Sequence, residues 1–274
     1  MRPYAPAVPR GAFPEIRGLL TFGSQVLGVA EAEVRKLRHD PLELLTRAIQ
    51  PVLWLVIFGQ VMARVRGLST GRLTYIDFLA PGVLAQSVQF IAIFHGVSLI
   101  WDRDLGILQK YLVSPAPRTA LVLGKTLSAS VRALSQAVIV YLLAVLMRIA
   151  VDFRPQSILG VFVSIIIGAS LFSTLSMVIA CLVKTRERFM GIGQMLTMPL
   201  FFASNAIYPL SIMPWWLRAM STANPLTYEV DALRTFMVHG GASAFGLQVD
   251  FAVLLVWLLV LVWTAARLFP RLVM

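Results

Sequence analysis

Apolar runs of membrane-crossing length alternate with short polar intervals from about residue 44 to residue 266. A helix needs about 17–25 predominantly apolar residues to cross a bilayer. The pattern predicts six such spans, at about 44–62, 78–100, 126–147, 157–183, 189–207 and 251–266. Asp40-Pro41-Leu42-Glu43 announces the first, with Asp as N-cap, Pro at the first helical position and Glu at the third. Pro51 falls inside that span, and the fourth span carries Ser164-x-x-x-Gly168, a spacing that lets helix backbones approach closely.

Three of the intervals are themselves patterned. Between residues 24 and 38, Leu27, Ala30, Val34 and Leu37 make an apolar stripe against Glu31, Glu33, Arg35, Lys36 and Arg38, which predicts a helix lying in the interface plane. Trp101, Leu105, Leu108 and Leu112 fall at i, i+4, i+7 and i+11, while Asp102, Arg103, Gln109 and Lys110 lie off that face. This second amphipathic helix ends near Ser114-Pro115, and a soluble partner can grip such a surface. In the interval 208–250, Pro214 opens one short helix, Asn224-Pro225 caps and opens another, and Gly240-Gly241 stops it. Leu226, Val230, Leu233 and Met237 form one apolar face of the second. Both are too short to span, so they are expected to dip into or lie on the outer leaflet, with Trp215 and Trp216 at headgroup depth.

Composition supports this class. The chain is 58% hydrophobic and 14% charged, with mean hydropathy +0.79, whereas soluble domains carry about a quarter charged residues. The net charge of +11 does not indicate nucleic acid, because the basic residues flank the apolar runs instead of forming an aromatic-interleaved patch. Lys and Arg are denser in 1–47, 101–125, 184–190 and after 266 than in the opposite loops, which predicts both termini in the cytoplasm. Residues 1–23 read as a mobile cytosolic tail and 24–274 as a single transmembrane domain. No apolar segment resembling a cleaved signal precedes the first span. The single cysteine, Cys181, excludes an intrachain disulfide and is expected to be a small buried apolar residue.

Catalytic constellations are lacking. The histidines His39, His95 and His239 are scattered, no metal-binding motif occurs, and the sequence predicts neither metal nor enzyme activity in this chain. Gly124-Lys125-Thr126 is not a P-loop: Thr119 stands where the first glycine belongs, and an apolar span follows. If ATP is used, another chain hydrolyses it. Gln86 and Gln89 share a face of the second span, with His95 nearly opposite, and Arg132 sits early in the third. Such polar groups either bond neighbouring helices or line a pathway.

Three stretches together resemble a known family. They are Gln50-Pro51-Val52-Leu53-Trp54 through Gly59; Asp102-Arg103-Asp104-Leu105-Gly106-Ile107-Leu108 with Leu123-Gly124-Lys125; and Tyr208-Pro209-Leu210 through Met213-Pro214, followed by Asn224-Pro225-Leu226-Thr227-Tyr228 and Asp231-Ala232-Leu233-Arg234. In order and spacing they are similar to the permease subunit of type-2 ABC exporters, of the daunorubicin-resistance branch. The resemblance implies an all-α membrane protein of six helices in the cell membrane. It also implies a second permease, identical or homologous, and two copies of a separate ATPase that carries the ATP and Mg. The family's coupling helix corresponds to Trp101, Asp102, Arg103, Asp104, Leu105, Gly106, Leu108, Gln109 and Leu112, and its connecting helix to the segment with Glu31, Arg35 and Arg38. Relatives often carry Glu where this chain has Asp104. Alternating access to an amphiphilic, drug-like or lipid-like substrate would follow, past Gln86, Gln89 and Phe90 on the second span and Met198, Phe201 and Asn205 on the fifth. A non-transporting membrane partner of an ABC ATPase is the alternative.

Overall fold

A computed structural model describes residue 46 and residues 49–65, 73–105, 118–183 and 185–268, with the backbone alone over 118–124. The expected tail, the interfacial helix with Glu31, Arg35 and Arg38, and the later coupling-helix residues Gly106, Leu108, Gln109 and Leu112 lie outside the described residues.

The described residues are helical apart from one isolated antiparallel bridge, Val151 to Val238. In chain order the helices are α1 (Ile49–Met62), α2 (Tyr75–His95), α3 (Val97–Asp104), α4 (Arg118–Leu146), α5 (Pro155–Leu182), α6 (Arg186–Phe202), α7 (Trp215–Ala223), α8 (Pro225–Met237) and α9 (Leu247–Leu268). Among the described residues four stretches are long and apolar enough to cross a membrane: Tyr75–Asp104, Lys125–Leu146, Pro155–Leu182 and Leu247–Leu268. They coincide with the second, third, fourth and sixth expected spans. The first expected span corresponds to the shorter apolar α1, whose middle, Leu53–Gly59, winds as a π-helix just after Pro51. The fifth corresponds to α6, which stops at Phe202 and not near 207. Pro199 removes one ladder donor there, and the chain turns over 203–206.

Helices α2 and α5 form the centre. Nearly all of α2 from Phe78 to Val88 is buried, including Pro81 and Gly82. Ser176 of α5 donates its hydroxyl to the Ile93 carbonyl of α2, and Gly96, where α2 gives way to α3, sits directly on Ser176. A Cβ at Gly96 would overlap that hydroxyl, so the close crossing requires glycine there. Because both helices start from the same end, Ile93 beside Ser176 fixes a parallel register. Helix α4 runs antiparallel to α5 and bonds it through Ser130 and Ser170, whose hydroxyls lie 3.1 Å apart. Cys181 is buried in a small apolar cluster with Leu99, Ile100 and Phe189, as expected of a lone cysteine.

Helices α7 and α8 form a hairpin. Asn224 at the N-cap accepts from the Leu226 amide at 3.0 Å, and Tyr228 donates back to the Thr222 carbonyl at 2.7 Å. Helix α7 begins at Trp215, one residue after the expected Pro214, which takes the cap position. Gly160 of α5 packs on Phe236 and Gly168 on Glu229, so α8 runs antiparallel to α5 along a groove of Gly160, Ser164 and Gly168. The hairpin therefore points its Asn224 tip into the bundle. Thirteen residues of α8 rise about 20 Å, less than the hydrocarbon thickness of about 30 Å.

Candidate functional site

Polar side chains gather at both ends of the bundle and at the buried hairpin. At the end reached by α3, Lys125 of α4 pairs with Asp102, and Arg186, the first residue of α6, pairs with Asp104 at 2.8 Å. Arg103 pairs with the same Asp104 at 3.1 Å, and the Arg186 guanidinium lies over the Trp101 ring, 4.0 Å from its centroid. The acidic side of α3 is thus tied to α4 and α6. Leu99 and Ile100 of α3 are buried, whereas Trp101 beside Arg186 is 49% exposed and Leu105, just past the helix end, 67%. Large apolar side chains on a solvent-facing helix end mark an interaction surface more often than scattered surface residues do.

Around α8 the chemistry is buried. Asn205 and Arg234 both bond Asp231, the latter at 3.1 Å, and Arg234 also donates to the Asn205 carbonyl at 2.8 Å. The second Asp231 oxygen accepts from the Ala244 amide at 2.8 Å, and the Ser243 hydroxyl, 3.4 Å from that oxygen, donates to Asp250 at 2.7 Å. Arg234 lies over the Phe78 ring at 3.9 Å, and the Asn224 amide donates to the Leu200 carbonyl at 2.6 Å. One network therefore joins the end of α6, α8, the start of α9 and α2. A buried charge pair holds only when its remaining hydrogen-bonding capacity is met, and here neighbours from three elements meet most of it.

Glu229 differs. It is fully buried against Gly168, and neither carboxyl oxygen has a hydrogen-bond partner in this conformation. Burial pushes its carboxyl well above the usual carboxylate range. The Gln86 and Gln89 side chains of α2 are also buried, with the Gln86 amide nitrogen and both polar atoms of Gln89 unpartnered.

The turn between α4 and α5 closes the hairpin end. His239 donates its amide to the Ala150 carbonyl and Asp152 donates to the Met237 carbonyl, both at 2.8 Å. Asp77 accepts from the Ala150 amide at 3.1 Å. The Asp152 carboxylate accepts from the Arg154 amide and from Ser157, each at 3.0 Å, with His239 at 3.7 Å. The Arg154 amide, and after it the Ser157 hydroxyl and the nearby His239 and Arg154 charges, hold its carboxyl below the usual range.

The six expected pathway residues do not share one environment. Gln86 and Gln89 are core residues. Phe90 packs on Phe94, ring centroids 4.4 Å apart, and Phe201 packs edge-on against Trp54 of α1 at 5.1 Å. Met198 is half-buried, and Asn205 belongs to the Asp231 network. Among the hairpin residues, Pro214 and Trp215 are exposed, while Asn224, Pro225, Tyr228, Asp231 and Arg234 are buried. The pattern along the chain did not single out Arg186, Glu229, Asp152 or Asp250. Arg186 reads there as one of several loop cations, and its position four residues beyond the α5 end is the available clue. Among the described residues no cluster of three or more His, Cys, Asp or Glu has metal-site geometry.

Against known proteins, residues 24–238 match the family profile described as ABC-2 type transporter. The ycf38 chain of Cyanophora paradoxa, named as a transport permease, is 30% identical over 208 residues, covering 74% of this chain and 71% of its own length. The daunorubicin resistance ABC transporter permease protein DrrB1 of Streptomyces coeruleorubidus is 25% identical over 206 residues, 75% of this chain and 72% of that one. The inner membrane transport permease YadH of Escherichia coli K12 is 23% identical over 216 residues, 78% and 82% of the two chains.

Proposed function

The chain belongs to the ABC-2 type transporter family and is an ABC transporter membrane subunit, and from that premise we propose that it is the permease of an ATP-driven exporter. A separate ATPase, in two copies, supplies the energy, and a second permease completes the path. The substrate is amphiphilic, drug-like or lipid-like, and moves out of the cytoplasm or inner leaflet by alternating access. In this reading the α3 end faces the cytoplasm with both termini, and the α7–α8 hairpin occupies the outer leaflet.

The observation that carries the proposal is the α2–α3 arrangement. The most buried helix of the bundle continues, past Gly96, into a segment whose acidic residues grip α4 and α6 while Leu105 and about half of Trp101 stay exposed. A rigid element docked on a moving partner through those two side chains transmits its displacement to the centre of the permease. Of the further residues of the expected coupling helix, Leu108 and Leu112 continue the sequence stripe of Trp101 and Leu105, while Gly106 and Gln109 lie off it.

The test is to substitute Leu105→Asp and Leu108→Asp singly in the complex. Both chains should still insert, yet lose ATPase co-purification or lose transport at undiminished hydrolysis. Normal co-purification together with normal export in both variants would count against the assignment. ATP hydrolysis that moves no amphiphile across vesicles, in the parent complex, would favour the non-transporting alternative.

A further inference from the structure

We propose that α6 is the mechanical link between the α3 end and the α7–α8 hairpin, and that Arg186 is the positioning residue through which α3 moves it. The inference rests on the exporter reading and adds a route for the motion that reading requires.

Helix α6 makes its side-chain polar contacts to other helices at its two ends. At the first, Arg186 makes its ion pair with Asp104 and stacks on Trp101, both residues of α3. Next to them Phe189 is fully buried and lies against Gly96, between α2 and α3. At the other end, the Leu200 carbonyl accepts from Asn224 at the hairpin tip, while Asn205, just beyond the helix, bonds Asp231 and Arg234 of α8. Between these ends a single face is packed, with Gly193 against Ile93 and Phe94 of α2 and Thr197 buried, while Met190, Ile192 and Met195 on the other sides are exposed. A helix of 17 residues spans about 26 Å, close to the hydrocarbon thickness of about 30 Å. A stiff rod fastened at both ends by polar contacts, and packed along a single face through apolar ones, carries axial displacement from one fastening to the other by sliding on that face.

The fastenings differ in kind. The hairpin one is buried, with Asn205, Asp231 and Arg234 each at most 5% exposed. The α3 one is about one-third exposed on both partners, and exposed ion pairs add little to stability. Its removal is therefore expected to spare the fold and alter transmission. Arg suits the position because a planar guanidinium can pair with a carboxylate and stack on an indole at once, which an ammonium does less well.

The experiment uses the whole complex with its ATPase, reconstituted in vesicles. A thiol is placed at the inward-pointing tip of the hairpin by Thr222→Cys in a Cys181→Ser background, and its labelling by a membrane-impermeant maleimide, which reaches that depth only through an open path, is followed with and without ATP. The parent should show nucleotide-dependent labelling at position 222. Arg186→Ala should lose that dependence and export, while keeping ATPase co-purification and hydrolysis. Arg186→Lys should recover it in part, and Arg188→Ala, exposed on the same helix turn, should leave it intact. Retention of the full nucleotide response in Arg186→Ala overturns the inference alone, as does its equal loss in Arg188→Ala. A parent complex without any nucleotide response overturns the exporter reading and the inference with it.

Discussion

Gly168 and Glu229 fit each other across α5 and α8, and the fit leaves no room for a side chain at 168. Gly168→Val should destabilise the protein by about 1–3 kcal/mol through overpacking, read as a lowered unfolding temperature in detergent. Truncating the opposing side chain with Glu229→Ala in the same chain should restore part of the loss, since it frees volume and removes an unpartnered carboxyl. Asp152 makes a second residue-level prediction, of pH dependence. Its folded carboxyl is held below the value of about 3.9 found for free Asp. The stabilisation it gives is thus fully present above that value and disappears as pH falls through the lower folded value. Hydrogen exchange at the Asp152 and His239 amides, which hold the turn to the end of α8, should accelerate across that acid window. In Asp152→Asn the acid step should vanish.

At the scale of elements, α8 holds the most information. The stripe Leu226, Val230, Leu233 and Met237 is legible in the sequence, and all four residues are buried. Glu229, Asp231 and Arg234 on its other sides are buried as well. The one-faced pattern predicted a helix on or dipping into the leaflet and did not show that its other sides also pack, against α2, α5 and α9. Hydropathy could not reveal this, because a charged residue satisfied by partners far away in sequence looks the same as a solvated one. Asp231 finds Asn205, Ala244 and Ser243 only after folding. Asp231→Ala should accordingly cost about 3–5 kcal/mol, because it leaves Arg234 buried without its anion. Asp231→Ala combined with Arg234→Met should cost less than the single change, and a thermal-shift comparison of the two decides it. The four long helices were readable because a continuous apolar run allows few alternatives in a membrane. The need for glycine at 96 was not, since what demands it is Ser176, eighty residues away.

For the molecule as a whole, membership of the ABC-2 family agrees with a chain that lacks a phosphate-binding loop of its own and with Leu105 and about half of Trp101 exposed at the end of its most buried helix. Acidic anchors hold α3 to α4 and α6, and the family coverage from residue 24 to residue 238 includes all of these parts. In the proposed mechanism the chain is a passive conductor, with work entering at α3 and delivered to the hairpin and the path beside it. Its most direct test is ATP-driven movement of a fluorescent amphiphile across vesicles that contain the chain with its ATPase, measured in the parent and in Leu105→Asp. The account predicts outward movement in the parent and none in the variant, with the variant chain inserted and folded. Equal movement in both, or none in the parent while ATP is consumed, would contradict it.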